Sequence, residues 1–451
     1  MNKTWTMRAL AAAAALAAAP AAMADVNTLE GWAMMPAATT ATGPTTGQFG
    51  GTGFGANSGL LPLINAQSVQ GFSAILNGPA AGTYRLMPDN GFGAQGNSAD
   101  ALLRMYTLRP DFKTAFGGSG TVAAARYDNG AALPAFTAPS YITLADPDHK
   151  LGFAIQADFS HYYNNAANPL VDASITSGRL LTGADFDIES VRKDKNGHLW
   201  FGEEFGPFLL KTDATGKLLR SEISLPGVKA PQNPYLGGGT PNLGSSRGFE
   251  GMAINRAGDT LYTLLEGTVA GDPAKSLRIN AFSVDTESYT GQQWRYKLDA
   301  DGTNIGDMTA ISDHEFLVIE RNGATATGGG TPFKKIFRID LNQVDSFGYV
   351  AKREVVDLMN IADPHDLNGD GSTTFTFPYV TIEDVLVLDK NTLLVVNDNN
   401  FPGGGGRSAA PDATEFLKIH LASPVPEPST WAQMAGGLAL VGFVALRRRN
   451  A

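Results

Sequence analysis

No cysteine occurs in the 451 residues. Disulfides, thiolate nucleophiles and cysteine-based zinc sites are therefore excluded, and stability has to come from core burial. Histidine is scarce, with six in all, and there is no G-x-S-x-G elbow. His198 and His314 fall at or beside expected turns, so a serine–histidine nucleophile has little support. Long helical periodicity is missing as well. In its place stand many short alternating or apolar runs separated by Gly, Asn and Asp, which is a mostly β pattern. Positive charge is in deficit, with 34 Lys and Arg against 44 Asp and Glu and a net charge of −10. Nucleic acid and anionic bilayers are poor partners for such a chain by bulk charge, and an anionic substrate would need a local cation.

The two ends differ from the rest. Lys3 and Arg8 precede an alanine-leucine run from Ala9 to Ala19, and Ala22-Met23-Ala24 satisfies the small-x-small rule for signal peptidase. Residues 1–24 thus read as a secretory signal, with Asp25 as the mature N-terminus. At the other end, Val425-Pro426-Glu427-Pro428-Ser429, an apolar run from Trp431 to Leu446 and then Arg447-Arg448-Arg449 closely resemble a PEP-CTERM sorting tail over 425–451. The resemblance implies a short transmembrane helix held only transiently in the membrane and removed by an exosortase, leaving the protein on the cell surface or in the extracellular matrix. A permanent single-span anchor is the competing reading. Loss of both ends would take the net charge from −10 to about −14.

Between the ends a unit recurs. Glu189-Ser190-Val191, a turn at Asn196-Gly197, and Leu199-Trp200-Phe201-Gly202-Glu203-Glu204 form an acid, strand, turn, strand and acid in succession. The same order runs from Glu250 through Gly258 to Glu266, from Asp307 through Asp313-His314 to Glu320, and from Glu383 through Lys390-Asn391 to Asp398. A weaker copy runs from Ser73 through Gly82 to Asp89. Each turn sits about midway between its flanking acids, so a tight hairpin would bring both carboxylates to its open end. The starts at 73, 189, 250, 307 and 383 are 116, 61, 57 and 76 residues apart, and the first interval, twice 58, implies a degenerate unit near Asp128-Asn129-Gly130. The expected fold is an all-β propeller of about six four-stranded blades over 72–421, with 25–71 leading into or closing it; a two-sheet sandwich is the fallback. Equivalent hairpins in successive blades would gather the acids at one mouth of the central channel. A metal, protonation or interleaved arginine would then be needed to offset the repulsion.

The runs Ala184-Asp185-Phe186-Asp187-Ile188-Glu189-Ser190, Gly202-Glu203-Glu204-Phe205-Gly206-Pro207-Phe208, Arg247-Gly248-Phe249-Glu250-Gly251-Met252, Glu320-Arg321 and Asn397-Asp398-Asn399-Asn400-Phe401-Pro402 resemble the phytase-like domain, described as having esterase-like activity of phytase. The resemblance spans roughly Phe72 to Leu421 and implies a β-propeller with phosphoric-ester hydrolysis assisted by calcium.

On this reading Glu189, Glu204 and Glu250 are the candidate catalytic acids, and Glu266, Asp307, Glu320, Glu383 and Asp398 the further candidate Ca²⁺ ligands, since hard oxygen donors suit that ion. Arg247 and Arg321 are candidates to grip phosphate, with Asn399 and Asn400 supplying amide contacts or turn geometry. The bland alternative is that the acids brace neighbouring blades by pairing with those arginines. Asp366-Leu367-Asn368-Gly369-Asp370-Gly371 opens like a calcium loop, and Asp366, Asn368 and Asp370 are its candidate ligands. Phe377 stands where the bidentate Glu of an EF-hand belongs, so the loop is either a weaker ion site or a polar turn. His365 beside it is a candidate acid or base. The leading expectation is an exported monomer that hydrolyses phytate or another organophosphate with calcium. The alternatives are a non-catalytic, calcium-stabilised propeller that binds extracellular polysaccharide, and a metal-dependent lactonase or carboxylesterase.

Overall fold

The computed structural model describes residues 26–49, 59–408 and 411–425. The signal sequence, and the sorting tail beyond Val425, lie outside these residues. Among the described residues no helix is long and apolar enough to cross a membrane.

Among the described residues the ring is built of five four-stranded antiparallel units, three of them separate sheets and two joined in one larger sheet where Met34 pairs in parallel with Thr121. Blade 1 is Phe72–Asn77, Tyr84–Pro88, Arg104–Asp111 and Thr121–Ala124. Blade 2 is Ile188–Lys193, Leu199–Glu203, Phe208–Thr212 and Ile223–Ser224. Blade 3 is Gly251–Ile254, Thr260–Leu264, Ser276–Ser283 and Ser288–Lys297. Blade 4 is Asn304–Ala310, Glu315–Arg321, Lys334–Val344 and Val350–Asp357. Blade 5 takes Asp384–Asp389, Thr392–Val396 and Thr414–His420 from the C-terminal part, and its outermost strand, Thr28–Met35, from the N-terminal part.

The first strands of the five units touch one another in cyclic order, blade 1 to 2 to 3 to 4 to 5 and back to 1, so the arrangement is propeller-like and closed. Packing gives the same count. Five buried apolar clusters lie one at each junction. Trp200 and Leu209 meet Phe249 and Met252 between blades 2 and 3, Leu264 and Leu277 meet Met308 and Phe316 between blades 3 and 4, and Leu317 and Ile319 meet Val385 and Leu393 between blades 4 and 5. Sheets buried on both faces read as continuous apolar runs, which is why Phe316–Ile319 and Leu393–Val396 show no alternation.

Among the described residues the expected sixth blade is not there. Asp128-Asn129-Gly130 is a surface turn closed by the Gly130 amide on the Arg126 carbonyl at 2.8 Å. The residues after it form short 3₁₀ turns, the strand Tyr141–Thr143 added to blade 1, and the helix Ala173–Gly178. Leu144, Ile155, Val171, Ile175 and Leu181 of this insertion bury against Phe186, Ile188, Phe201 and Phe208 of blade 2. The doubled interval in the repeat is thus a layer laid over the junction of blades 1 and 2. Its sequence has apolar residues at irregular spacing, enough to cover a sheet but not to build one.

The ring is closed by Thr28–Met35 pairing antiparallel with Thr414–His420, from Thr28 opposite His420 to Met35 opposite Thr414. Polar contacts lock this seam. The Trp32 indole N–H donates to Glu415 at 3.2 Å, the Tyr379 hydroxyl donates to it at 2.6 Å, and Arg407 pairs with it at 2.7 Å.

Candidate functional site

Each hairpin ends with its open side toward the ring centre, and short contacts between blades set the depth of the acids. In blade 2 the Glu204 amide donates to the Asp187 carbonyl at 2.9 Å, carrying the strand pair one step past Glu203. Glu203 itself turns inward. Its carboxylate accepts the amides of Phe205, Gly206 and Phe208 at 2.7 to 2.8 Å and so shapes the bend after the strand. Burial pushes its pKa up to about 8 despite those three donors. Adjacent strand residues face opposite sides, so Glu204 is left pointing into the centre while Glu203 serves the fold.

Blade 3 is pinned to this corner. The Phe249 amide donates to the Glu203 carbonyl at 3.2 Å, and the Ser190 hydroxyl donates to the Phe249 carbonyl at 3.0 Å. Gly248 is required here, because a Cβ would stand 2.5 Å from the Glu204 Cα. Glu250, two residues on, is thereby delivered beside Glu189 and Glu204, and one carboxylate oxygen from each of the three lies within 4.8 Å of the others. Asp89, Asp187 and Glu189 form a second such trio by the same measure.

The electrostatics follow from burial. Asp187, Glu189 and Glu204 are only 3%, 8% and 4% exposed. Among the described residues, Asp187 Oδ1, Glu189 Oε2 and Glu204 Oε1 are buried oxygens without a hydrogen-bond partner. Desolvation and then neighbouring carboxylates hold Glu189, Glu204 and Glu250 well above the ordinary carboxylate range, and Asp89 likewise. Buried acceptors left unpaired are costly, and a cation is the species that satisfies several at once. The donor set is all oxygen, which fits a hard ion such as calcium.

Beside Glu250 of the first trio, blade 4 supplies positive charge. Arg321 Nη2 lies 2.7 Å from Glu383, 3.2 Å from Glu250 and 3.5 Å from Glu266, and Asn304 donates to Glu266 at 2.7 Å. Glu383 also accepts the Ser73 hydroxyl at 3.1 Å. Arg247 pairs with the other oxygen of Glu266 but stays half exposed. It lines a groove of about 330 Å³ together with Glu266, Thr268, Lys275, Leu277 and Leu298. Asp398 accepts the Asn400 amide at 2.7 Å and the Thr381 hydroxyl at 3.1 Å, and it shares with Asp89 the wall of a cavity of about 30 Å³.

Several candidates stand elsewhere. Glu320 and Asp307 are outside the ring of acids. Glu320 accepts the Tyr296 hydroxyl and pairs with Lys352, both at 2.6 Å, in the space between blades 3 and 4. Asp307 is paired with Arg192 at 2.7 Å. Within the blade 4 hairpin, Asn304 faces Arg321, and a register shift follows between Ile305 and Met308. The central positions of this blade are therefore Asn304 and Arg321 instead of Asp307 and Glu320. Asn399 is a structural clamp. Its side chain accepts the Gly71 amide at 3.2 Å and donates to the Asp412 carbonyl at 2.9 Å. Asn400 has a φ of 50° and donates to Thr381 at 2.5 Å, while also lining the small cavity. In the loop Asp366–Gly371, the Gly371 amide donates to Asp366 at 3.1 Å and Asn368 donates to Asp370 at 2.9 Å, so these side chains organise a turn. His365 is an exposed residue next to it.

Two participants were not among the expected site residues, Asp187 and Asp89. Asp187 stands two residues before Glu189, and that extended spacing placed both on one face; the pattern Asp185-Phe186-Asp187-Ile188-Glu189 contained the signal. Asp185 of the same run is structural, taking the amides of Gln156 and Thr182 at 2.7 and 2.9 Å.

An all-β ring with a carboxylate-lined centre is the class of protein that the fold and site define. The chain belongs to the phytase-like family, described as esterase-like activity of phytase, which matches residues 67–401. A protein of Arthroderma benhamiae described as an uncharacterized secreted protein is 23% identical over 207 residues, covering 39% of this chain and 36% of that one, so the match spans about a third of the relative. Among solved structures, a luciferin-regenerating enzyme aligns with a TM-score of 0.38 at 10% identity over 80% of this chain and 97% of its own. A GH43 β-1,3-galactosidase aligns with a TM-score of 0.38 at 14% identity over 78% of this chain and 90% of its own.

Proposed function

We propose that this protein is an exported hydrolase of phosphoric esters, phytate or another organophosphate, that works with calcium held at Glu189, Glu204 and Glu250. The observation that carries the reading is the convergence of these three buried carboxylates within 4.8 Å, two of them with an oxygen lacking any partner. Family membership supports the reaction class. Calcium at this position would supply the positive charge that offsets a phosphate and activates water. The chain's own residues do the rest. Arg247, half exposed beside Glu266, is placed to grip a phosphate oxygen, and the groove of about 330 Å³ next to it has room for the organic part of the ester. In the net reaction water oxygen bonds to phosphorus, the ester P–O bond breaks, and the alcohol departs with a proton. A carboxylate of the cluster not engaged by the ion would accept the proton from water.

Export rests on Ala22-Met23-Ala24 and the Arg447–Arg449 tail, and the fungal relative is itself described as secreted. Processing by signal peptidase and exosortase would leave a chain beginning at Asp25, and mass measurement of the protein recovered from its natural host checks both cuts.

A second reading has its own observation. Arg321 ties Glu250, Glu266 and Glu383 together as a brace would, which favours a calcium-stabilised binding propeller without catalysis. Purified 25–423 assayed on phosphate monoesters, phytate, carboxylic esters and lactones, with calcium and with chelator, separates the two. Calcium-dependent release of phosphate supports the hydrolase. No turnover of any substrate while calcium still raises the melting temperature supports the binding propeller, and turnover of carboxylic esters or lactones alone moves the chemistry to that class.

A further inference from the structure

Phytate and the phosphate monoester of a small apolar alcohol make opposite demands on a site. Phytate carries a phosphate on every carbon of its ring and needs several cations to hold it, whereas the monoester needs one cation and an apolar wall. The groove beside Glu266 lies at the open end of the blade 3 hairpin, where the Gly267 amide donates to the Arg247 carbonyl at 3.0 Å. Lys275 and Leu277 reach it from the start of the third strand of that blade, and Leu298 and Thr303 from the connection to blade 4. A Cβ at Gly267 would stand 2.7 Å from that of Arg247, so glycine there makes the room in which the arginine lies.

Two cations border the groove, Arg247 and Lys275, and only the first has hydrogens to spare. Lys275 Nζ lies 2.8 Å from the Asp299 carbonyl, 2.5 Å from that of Ala300 and 3.1 Å from that of Gly302. An ammonium has three hydrogens, so Lys275 is spent on folding the connection between blades 3 and 4. The cations nearer the centre are spent too. Arg321 is buried among Glu250, Glu266 and Glu383, and Lys334, opposite Arg321 in the blade 4 sheet, is buried with its ammonium on the carbonyls of Asn322 and Val380. Arg247 is bound to Glu266 through one nitrogen and its side chain is 42% exposed. A second phosphate in the groove would find no free cation and would face Glu266.

The rest of the groove is apolar. Leu277 and Leu298 belong to the buried cluster between blades 3 and 4, and the groove ends on them. Its volume of about 330 Å³ exceeds the roughly 150 Å³ cavity that a benzene ring fills, so one ring with a short substituent has room. On the hydrolase reading above, on which this inference rests, we propose that the substrate is a phosphate monoester of a compact, largely apolar alcohol, an aryl or short alkyl phosphate, and that phytate is a poor substrate. Arg247 holds the phosphate, and the alcohol packs against Leu277 and Leu298, which set the specificity.

The test compares substrates and shifts the preference by design. Purified protein is assayed on phenyl phosphate, glycerol 2-phosphate and phytate, at calcium levels that leave phytate dissolved. The value of kcat/KM should fall in that order, by at least about tenfold from first to last. Leu298→Asn should lower the value for phenyl phosphate about tenfold more than that for glycerol 2-phosphate. Thr268→Lys, at a half-buried position on the same groove, adds a free cation and should raise phytate relative to phenyl phosphate about tenfold, which keeps the test open should Leu298→Asn fail to fold. Lys275→Met should lower the melting temperature, with any change in KM alike for phenyl phosphate and phytate. Phytate as the best substrate of wild type, or a rise in KM confined to phytate in Lys275→Met, overturns the one-cation groove while the hydrolase survives. If wild type turns over none of the three esters, the hydrolase reading falls and this inference with it.

Discussion

Arg321 and Glu383, on blades 4 and 5, meet at 2.7 Å in the buried centre of the ring, and the same guanidinium nitrogen lies 3.2 Å from Glu250 on blade 3. One side chain thus holds carboxylates from the blades on either side of its own. Removing one partner of a buried ionic cluster leaves uncompensated charge and typically costs about 3–5 kcal/mol. Arg321→Gln should lose stability of that order in urea unfolding of the chelated protein at pH 8. The loss should shrink at pH 5, where the freed carboxylates can take up protons. An equal loss at both pH values would mean that the arginine acts by packing alone.

The acids of the centre make the stability of the calcium-free protein pH-dependent in a defined direction. Burial pushes Asp187 up to about 6, and burial together with neighbouring carboxylates pushes Asp398 up to about 7 and Glu383 to about 8. In the unfolded chain such groups titrate near their ordinary values of about 4. Between about pH 4 and 8 the folded state therefore holds more protons than the unfolded state, so this contribution is complete below about 4 and is lost as pH rises through the folded values. The melting temperature of protein in chelator should fall from pH 5 to pH 8. Calcium competes with those protons, so its stabilising increment should be larger at pH 8 than at pH 5. A calcium increment that declines toward pH 8 would contradict ligation by these carboxylates.

Much of this centre could be read from the order of residues because a hairpin converts distance along the chain into position in space. Glu189 with Glu204, Glu250 with Glu266 and Glu383 with Asp398 each flank a Gly or Asn turn, and all six reach the centre. Blade 4 escaped that logic. Its hairpin sets Asn304 opposite Arg321 and Ile305 opposite Glu320, with a register shift before Met308, and where such a shift falls is invisible to pattern. Acids at 307 and 320 looked equivalent to the others by spacing, whereas Asn304 and Arg321 hold the corresponding places. The blade number failed for a related reason. Interval length reports how much chain lies between two strands, and the insertion that carries Leu144 and Ile175 uses a blade's worth of residues without forming one.

Glu320 and Glu204 offer a direct comparison of sequence equivalence with spatial equivalence. Both close the second strand of a hairpin, but Glu320 is satisfied by Tyr296, Lys352 and the Asp299 amide, the last at 2.6 Å, while Glu204 keeps an unpartnered oxygen in the cluster. Glu320→Gln should cost stability, about 1–3 kcal/mol for weakening a buried hydrogen-bonded charge, and leave calcium affinity within about twofold. Glu204→Gln should do the reverse, weakening calcium at least tenfold while raising the stability of the chelated protein by removing a repelling charge. Calorimetric titration and urea unfolding of the two variants decide it, and similar profiles would dissolve the distinction.

The seam between the two parts of the chain sets a global requirement. Blade 5 lacks its outer strand without Thr28–Met35, and the Glu415 carboxylate that meets Trp32 would face solvent with only Tyr379 and Arg407 as partners. Deleting residues 26–36 exposes the edge of Thr414–His420 and part of the cluster containing Leu29. The truncated protein should aggregate or melt at least 10 °C lower, since a strand with its share of core contributes several kcal/mol. Trp32→Phe, which keeps the strand and most of the apolar contact but deletes the indole N–H, should cost only about 1 kcal/mol. A melting temperature unchanged by the deletion would mean that the ring closes without the N-terminal strand.

Arg247 is the cation best placed to separate substrate binding from the rest of the chemistry. Its side chain is 42% exposed where Arg321 is 7% exposed, and it reaches the groove through its contact with Glu266. Because it is anchored at one carboxylate and open to water on its other side, its loss should leave the fold within about 1 kcal/mol of wild type. A guanidinium that holds substrate and transition state alike changes affinity more than turnover, so Arg247→Ala should raise KM for a phosphate monoester by about tenfold with kcat reduced less than threefold. Arg247→Lys should recover part of KM, keeping the charge but losing the two-pronged grip. A fall in kcat equal to the fall in kcat/KM would instead assign Arg247 to stabilising charge that develops only as the P–O bond breaks.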